Sequence, residues 1–214
     1  MTALVLDFGG PVLRTPFELL RGGEARMCLA EGALPWTGPF DPDSDDDWRL
    51  MQAHTITERD YWQRKAEEFA ALTGREPSFR GLMDVLFDAP EDELVRPEAR
   101  LLAEDARAAG VPVAVCTNDM QAFHGLEWVQ SNQFLKLVDV LVDGSVEHVL
   151  KPDPRIYLMV TSRLGLEPGD CVFVDDQPGN IAGAQAVGMR TVWFDVTAPS
   201  TSYAEVRAAL GIGA

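Results

Sequence analysis

The chain has 214 residues, 46% apolar and 24% charged, which is typical of a globular domain or of a domain that carries an insert. Its 34 acidic residues outnumber its 18 basic ones, and the net charge of −16 argues against nucleic acid or an anionic membrane as a partner. The apolar stretch at the start is too short for a signal peptide, and no run reaches membrane-spanning length, so we expect a cytoplasmic protein.

The first predicted strand is a short apolar run, Ala3 to Phe8, which carries Asp7 near its end. The turn that follows contains Gly9, Gly10 and Pro11. A single Asp after a strand is most often a turn former or a helix cap. Asp7 alone therefore indicates little, and its meaning depends on what ends the other strands.

Residues 16–95 show helical patterns without a convincing buried strand. Thr57 and Asp60 resemble a capping box that begins a helix, and Gly74 ends it. The predicted apolar face of this helix consists of Tyr61, Trp62, Ala66, Phe69, Ala70 and Leu72. The acidic run from Asp41 to Trp48 is predicted to be a solvated loop or a helix entry. We therefore predict that residues 16–95 form a helical insert after the first strand.

Strands and helices alternate in the rest of the chain. The runs VPVAVCTN, LVDVLVDG, DCVFVDD and RTVWFD are almost continuously apolar, as in strands buried on both faces of a parallel sheet. Helices with proline near the start and glycine at the end are predicted at 97–110, 153–165 and 178–188. The pattern predicts an α/β fold, a doubly wound (Rossmann-like) parallel sheet. Its core domain comprises residues 1–15 and 96–214, interrupted by a helical cap domain, 16–95.

Polar residues end three of the predicted strands. They are Asp7, then Thr117 and Asn118, then Asp175 and Asp176. Lys151 opens the loop before the helix at 153–165. Ligands bind at the carboxyl ends of strands in an open parallel sheet, so we expect these side chains to lie together. Crowded carboxylates repel one another, which a lysine and a divalent cation would relieve, and hard oxygen ligands favour Mg²⁺.

The stretches LDFGGPVL, VCTND, KPDPRIY and VFVDDQPGNIAGAQAVG resemble, in this order, the four motifs of the haloacid dehalogenase (HAD) superfamily. The closest resemblance is to phosphatase-like members that carry a helical cap after the first motif. The last two motifs are the most specific, whereas the cap region matches only in position and helical character. The resemblance implies a hydrolase of a small phosphorylated metabolite, acting as a monomer or homodimer.

For catalysis, the resemblance implies that Asp7 is the nucleophile and forms an aspartyl-phosphate. Thr117 would hydrogen-bond the phosphoryl group, helped by the backbone of Asn118. Gly10 would let the backbone approach the phosphate. Lys151 would neutralise the developing charge and keep Asp7 ionised.

For the metal, the resemblance implies Mg²⁺ bound by Asp7 and by the backbone carbonyl of Gly9. Asp176 would bind the ion directly or through water, with Asp175 beside it and Asn180 close by. These residues supply the oxygen ligands that Mg²⁺ prefers.

Gly9 departs from the pattern of the family's phosphatases, which usually have an Asp two residues after the nucleophile. The dehalogenases of the family also lack that acid, but their fourth motif typically loses the paired acids that Asp175 and Asp176 keep here. We expect a phosphatase. The alternatives are a haloacid dehalogenase-type C–X hydrolase and a catalytically weakened binding or regulatory protein. His54 is a candidate for a substitute acid.

Overall fold

A computed structural model describes residues 2–213. The chain divides into two compact units: Met1–Arg14 with Pro90–Ala214, and Thr15–Ala89. The helical unit therefore ends at Ala89, before the predicted boundary at residue 95. The first unit is the α/β core, and a cap role for the second remains a proposal.

Backbone pairing explains why residues 90–95 belong with the α/β unit. The N–H of Arg14 donates to the carbonyl of Leu94 at 2.8 Å, and Leu13 forms an antiparallel bridge with Val95. The segment that leaves the α/β unit at Arg14 and the segment that returns to it at residues 90–95 are thus paired with each other. The sequence offered no pattern for this contact because it joins two single residues rather than two strands.

The α/β unit is built on a five-stranded sheet in the order β3-β2-β1-β4-β5, with every pairing parallel. The strands are β1 (Ala3–Leu6), β2 (Val113–Thr117), β3 (Val140–Asp143), β4 (Cys171–Asp175) and β5 (Arg190–Trp193). Their central residues are buried because helices cover a sheet of this type on both faces. The predicted α/β fold with a parallel sheet is confirmed.

The register places the polar strand ends beside one another. Leu6, at the end of β1, lies opposite Val115 of β2 and Val174 of β4. Asp7 and Asp175, each one residue further along, therefore emerge at the same edge of the sheet. Asp7 and Asp175 are neighbours because β1 pairs with β4, a strand that is distant from it in sequence.

Long and short helices accompany the sheet. They are α5 (Glu91–Leu94), α6 (Pro97–Ala108), α7 (Met120–His124), α8 (Leu126–Ser131), α9 (Gly144–Glu147), α10 (Pro154–Leu164), α11 (Pro178–Ala186) and α12 (Pro199–Leu210). Helices α6, α10 and α11 match the predicted ones. At the start of α10, Pro154 occupies the first turn and the carboxylate of Asp153 accepts the N–H of Arg155 at 2.9 Å. The shortest helices were not predicted because they do not complete enough turns to show a period.

The helical unit contains α1 (Pro16–Arg26), α2 (Asp46–Gln52), α3 (Glu58–Thr73) and α4 (Phe79–Leu86). Helix α3 begins with the predicted capping box of Thr57 and Asp60 and ends before Gly74. Its predicted apolar face is buried except for Leu72, which lies in the last turn and is 47% exposed. Among residues 2–213, no helix is long and apolar enough to cross a membrane.

The acidic run of the helical unit is only partly the solvated segment that we expected. Asp45 is buried: it accepts the N–H of Trp48 at 3.0 Å, at the start of α2, and the hydroxyl of Tyr61 at 2.8 Å. Asp47 accepts a hydrogen bond from the buried ammonium of Lys65 at 3.0 Å. These two carboxylates therefore stabilise the interior of the helical unit, because each accepts a side-chain donor from α3, Tyr61 or Lys65.

Candidate active site

Three carboxylates meet at the carboxyl edge of the sheet. Asp7 follows β1, Asp175 closes β4 and Asp176 comes next. One oxygen from each lies within 4.8 Å of the others, which is an arrangement that can hold a metal ion. The structure thus brings together the acids that the sequence placed at separate strand ends.

The ammonium group of Lys151 lies between two of these acids. Its Nζ is 2.8 Å from Oδ1 of Asp7 and 2.7 Å from Oδ2 of Asp175. Burial alone would lower the pKa of Lys151, but the charges of Asp175 and Asp7 outweigh it and hold this pKa well above its usual value. Lys151 is therefore a permanent cation in the site.

Asp7 titrates differently from an ordinary aspartate. Its pKa is raised from 3.8 to about 6, chiefly by burial. The charge of Lys151 lowers this pKa and the charge of Asp175 raises it, and the value of about 6 is the net result. Without another cation, Asp7 is therefore ionised near neutral pH and protonated in mild acid. A second positive charge beside it would keep it ionised over a wider range of pH.

Asp175 is fully buried and is held by donors from the protein. Oδ1 accepts the backbone N–H of Gln177 at 2.8 Å, and Oδ2 accepts Lys151. The side-chain amide of Asn180 lies 3.1 Å from both oxygens. Asp175 thus fixes the position of Lys151, whereas Asp176 is more open to solvent.

Thr117 and Asn118 end β2 at the same edge. Among the residues that the structure describes, the hydroxyl of Thr117 has no hydrogen-bond partner, so it can donate to a ligand. Asn118 was expected to act through its backbone. Its side chain also holds Lys151, accepting the backbone N–H at 2.7 Å and donating to the backbone carbonyl at 3.3 Å.

The two glycines after Asp7 differ in the space around them. Gly10 has φ +79°, and a Cβ there would lie 2.9 Å from Cγ of Asp176. Gly10 is therefore required both by its backbone conformation and by the close approach of Asp176. A Cβ on Gly9 would have no atom of the described chain within 4 Å, so the turn has room for a side chain at Gly9.

Sequence reasoning missed two residues that bind the same turn. The Nε of Arg96 donates to the carbonyl of Gly10 at 2.7 Å, and the hydroxyl of Tyr203 donates to the carbonyl of Pro11 at 2.7 Å. Neither belongs to a recognisable motif. His54, the candidate substitute acid, is exposed in the helical unit between α2 and α3, and its role stays a hypothesis.

The model of the haloacid dehalogenase-like hydrolase family matches residues 19–188. The chain belongs to this family of hydrolases. The match covers most of the chain, including Lys151, Asp175 and Asp176.

Relatives with different activities resemble this chain to a similar degree. It is 29% identical to (S)-2-haloacid dehalogenase 4A of Burkholderia cepacia over 90% of this chain and 82% of that protein. It is 30% identical to a phosphoserine phosphatase of Thermus thermophilus over 86% and 82%. A 27% identical match to mouse acyl-CoA dehydrogenase family member 10 spans 98% of this chain but only 19% of that much longer protein.

Solved structures of both a dehalogenase and a phosphatase also resemble this chain. A dehalogenase in an intermediate complex has a TM-score of 0.58 and 25% identity, over 91% of this chain and 84% of that one. A HAD phosphatase from Thermococcus onnurineus has a TM-score of 0.58 and 21% identity, over 91% and 86%. The latter similarity concerns the fold alone. The reaction must therefore be inferred from the site.

We expect Gly10→Ala to destabilise the protein and Gly9→Ala to leave it nearly unchanged. Alanine at Gly10 combines a left-handed backbone, which costs about 1–2 kcal/mol, with a contact against Asp176. Urea denaturation of both variants measures the difference. Equal free energies of unfolding for the two variants would contradict the geometry of this turn.

We also expect Asp7→Asn to raise the melting temperature in excess chelator at pH 7–8. The folded pKa of about 6 exceeds the value of 3.8 for an unperturbed aspartate, so ionised Asp7 destabilises the fold. This penalty is complete above pH 6 and absent below about pH 4, where the difference between variant and wild type should vanish.

The control for this prediction is Asp153→Asn. Its carboxyl has a pKa lowered to about 2 by its hydrogen bonds with Arg155, so this substitution should not stabilise at pH 7. A lower melting temperature for Asp7→Asn at pH 7 would contradict the assignment.

Proposed function

We propose that this hydrolase is a Mg²⁺-dependent phosphatase of a small phosphorylated metabolite, with an aspartyl-phosphate intermediate at Asp7. The observation that carries the proposal is the set of three neighbouring carboxylates, Asp7, Asp175 and Asp176, with Lys151 in contact with two of them. Lys151 balances one of the three negative charges. A divalent cation therefore fits the site by charge, and the carboxylate oxygens fit it by chemistry.

In this proposal, Asp7, Asp176 and the backbone carbonyl of Gly9 hold the ion. Asp175 acts beside them by fixing Lys151, since both of its oxygens already accept protein donors. When bound, Mg²⁺ would offset negative charge and polarise the phosphoryl oxygens.

The carboxylate of Asp7 attacks phosphorus, the bond to the leaving oxygen breaks, and that oxygen departs with the electron pair. Lys151 stabilises the negative charge on the phosphoryl oxygens, and the hydroxyl of Thr117 and the N–H of Asn118 donate to the same group. Water then hydrolyses the aspartyl-phosphate and regenerates Asp7. The groups around Asp7 thus serve both halves of the reaction.

We further propose that the helical unit, Thr15–Ala89, acts as a cap that selects the substrate. Support comes from its connections: the chain leaves the α/β unit after Arg14, just beyond the turn at Gly9 and Gly10, and returns at Pro90. An insert in this place would exclude water when it closes. The cytoplasmic location and the monomeric or homodimeric state remain proposals.

A second candidate is dehalogenation of a 2-haloacid, which the absence of an acid at Gly9 favours. Asp7 would attack the carbon that bears the halogen, halide would leave with the bonding electrons, and water would hydrolyse the resulting ester. This reaction needs no protonated leaving group and no metal. A binding or regulatory protein is the third candidate, because Gly9 also fits weakened catalysis.

Turnover of phosphorylated metabolites should require Asp7, Lys151 and a divalent cation. Asp7→Asn removes the nucleophile and a ligand, so phosphate release should fall to background. Lys151→Met should reduce turnover strongly in a protein that remains folded.

Phosphate release and halide release from 2-haloacids are measured with Mg²⁺ and with chelator. Halide release that persists in chelator would establish the second candidate. If neither phosphate nor halide is released and no phosphoenzyme can be trapped at Asp7, the results would favour the third candidate, a binding or regulatory protein.

The rate of phosphate release should depend steeply on the pKa of the leaving group. General acid catalysis is typically worth about 10²–10⁴-fold, and Gly9 provides none. Gly9→Asp should therefore accelerate alkyl phosphates more than aryl phosphates, and a Cβ at Gly9 would meet no atom of the described chain within 4 Å. Gly9→Asn is the matched control, since it fills the same space without an acid. Similar gains from both variants would show that the new carboxyl does not act as an acid, and a wild type insensitive to the leaving group would show that another residue already supplies the proton.

A further inference from the structure

Three buried side chains outside the sequence motifs join the turn after Asp7 to the end of β4. They are Arg96 before α6, Phe194 after β5 and Tyr203 in α12. We call these three residues the turn brace. Arg96 is distant in sequence from Phe194 and Tyr203, so tertiary structure brings it to them.

The turn brace holds two successive carbonyl groups. Arg96 donates from Nε to the carbonyl of Gly10, and Tyr203 donates from its hydroxyl to the carbonyl of Pro11, each at 2.7 Å. The backbone N–H of Arg96 also donates to the carbonyl of Val12 at 2.9 Å. Three consecutive peptide carbonyls of the turn are thus fixed by donors from the protein interior.

Phe194 links these two donors to the acidic strand end. The guanidinium carbon of Arg96 lies 5.8 Å from the centre of the Phe194 ring, and the Tyr203 ring meets the same ring edge-on at 5.0 Å. The backbone N–H of Phe194 donates to the carbonyl of Asp175 at 2.9 Å. The turn brace therefore connects the Gly10–Pro11 turn to the main chain beside Asp176.

The distance between these two segments matters because Gly10 packs directly against Asp176, with no room for a Cβ. A small shift of the turn would move the carbonyl of Gly9 relative to the carboxylate of Asp176. We propose that Arg96 and Tyr203 are positioning residues that set the geometry of the divalent cation site. This inference rests on the proposed function, in which Gly9, Asp7 and Asp176 hold the cation.

Tyr203→Phe gives the sharpest test, because it removes one hydroxyl and keeps the ring against Phe194. Partners outside the ligand set typically change metal affinity by about 10–100-fold when they are removed, so we expect the dissociation constant for Mg²⁺ to rise by at least about tenfold. Calorimetric titration with Mg²⁺ measures it. The matched control is Tyr61→Phe, which removes another buried hydroxyl, donated to Asp45 in the helical unit, and should leave Mg²⁺ affinity unchanged.

Arg96 is tested in the same way. Arg96→Met should weaken Mg²⁺ binding, and Arg96→Lys should recover part of it, because an ammonium group can still donate to the carbonyl of Gly10. Arg100→Met is the control on the same helix, since Arg100 pairs with Glu91 away from the turn. If Arg96→Met fails to fold, Tyr203→Phe still decides the proposal.

A second measurement separates failure of this inference from failure of the proposed function. Hydrogen exchange of the metal-free protein reports the amide of Leu13, which donates to the carbonyl of Phe8 at 2.8 Å within the turn. Faster exchange in Tyr203→Phe, but not in Tyr61→Phe, would show that the turn brace holds the turn in the metal-free protein. A wild type that binds no Mg²⁺ would refute the proposed metal site without contradicting this result. If the wild type binds Mg²⁺, unchanged Mg²⁺ affinity in Tyr203→Phe would overturn the inference, and if it does not, unchanged exchange in Tyr203→Phe would overturn it.

Discussion

The ion pairs of Lys151 are the interaction on which the rest of the site depends. One ammonium group contacts carboxylates from two neighbouring strands, Asp7 after β1 and Asp175 at the end of β4. Its own backbone is held by Asn118 from β2. Three strand ends are thus joined through one residue. A buried charge without a partner is strongly unfavourable, so the buried ammonium of Lys151 requires a carboxylate beside it, and Asp175 supplies one even when Asp7 is neutral.

The site contains residues that stabilise charge, but no acid at Gly9 that could transfer a proton. Lys151 and the three acids provide a site where negative charge and a cation can be stabilised, as phosphoryl transfer needs. Gly9 provides no group that donates or accepts a proton at the usual place. Under the proposed function, the substrate is one whose leaving group departs without protonation, whether it leaves phosphorus or carbon. Sequence similarity does not decide between these, since the phosphoserine phosphatase and the haloacid dehalogenase compared above are 30% and 29% identical to this chain.

The helical unit has a polar interior of its own. The ammonium of Lys65 is buried and lies 3.0 Å from Asp47 and from Glu68, and Asp45 accepts the hydroxyl of Tyr61. Trp36 donates to Glu68 at 2.6 Å. These contacts link α3 to α2 and to the segment before α2 inside the unit. The insert therefore carries its own stabilising contacts, as expected of a compact unit that is joined to its host by two chain crossings.

The sequence by itself determined the strands, the helices α3, α6, α10 and α11, and the candidate acids. Continuous apolar runs and helices bounded by proline and glycine are local patterns, so they can be read without knowing what packs on them. The order of strand ends also predicted that Asp7, Lys151, Asp175 and Asp176 would gather, because parallel strands present their carboxyl ends at one edge.

Only the tertiary structure decided how these residues divide their tasks. Donors from Gln177, Asn180 and Lys151 occupy both oxygens of Asp175, which distinguishes it from Asp176 although the two are adjacent in sequence. Gly9 and Gly10 look alike in the sequence, yet only Gly10 faces a side chain that excludes a Cβ. Arg96 and Tyr203 reach the turn from distant helices. Such contacts depend on distances between segments far apart along the chain, and no local pattern encodes those distances.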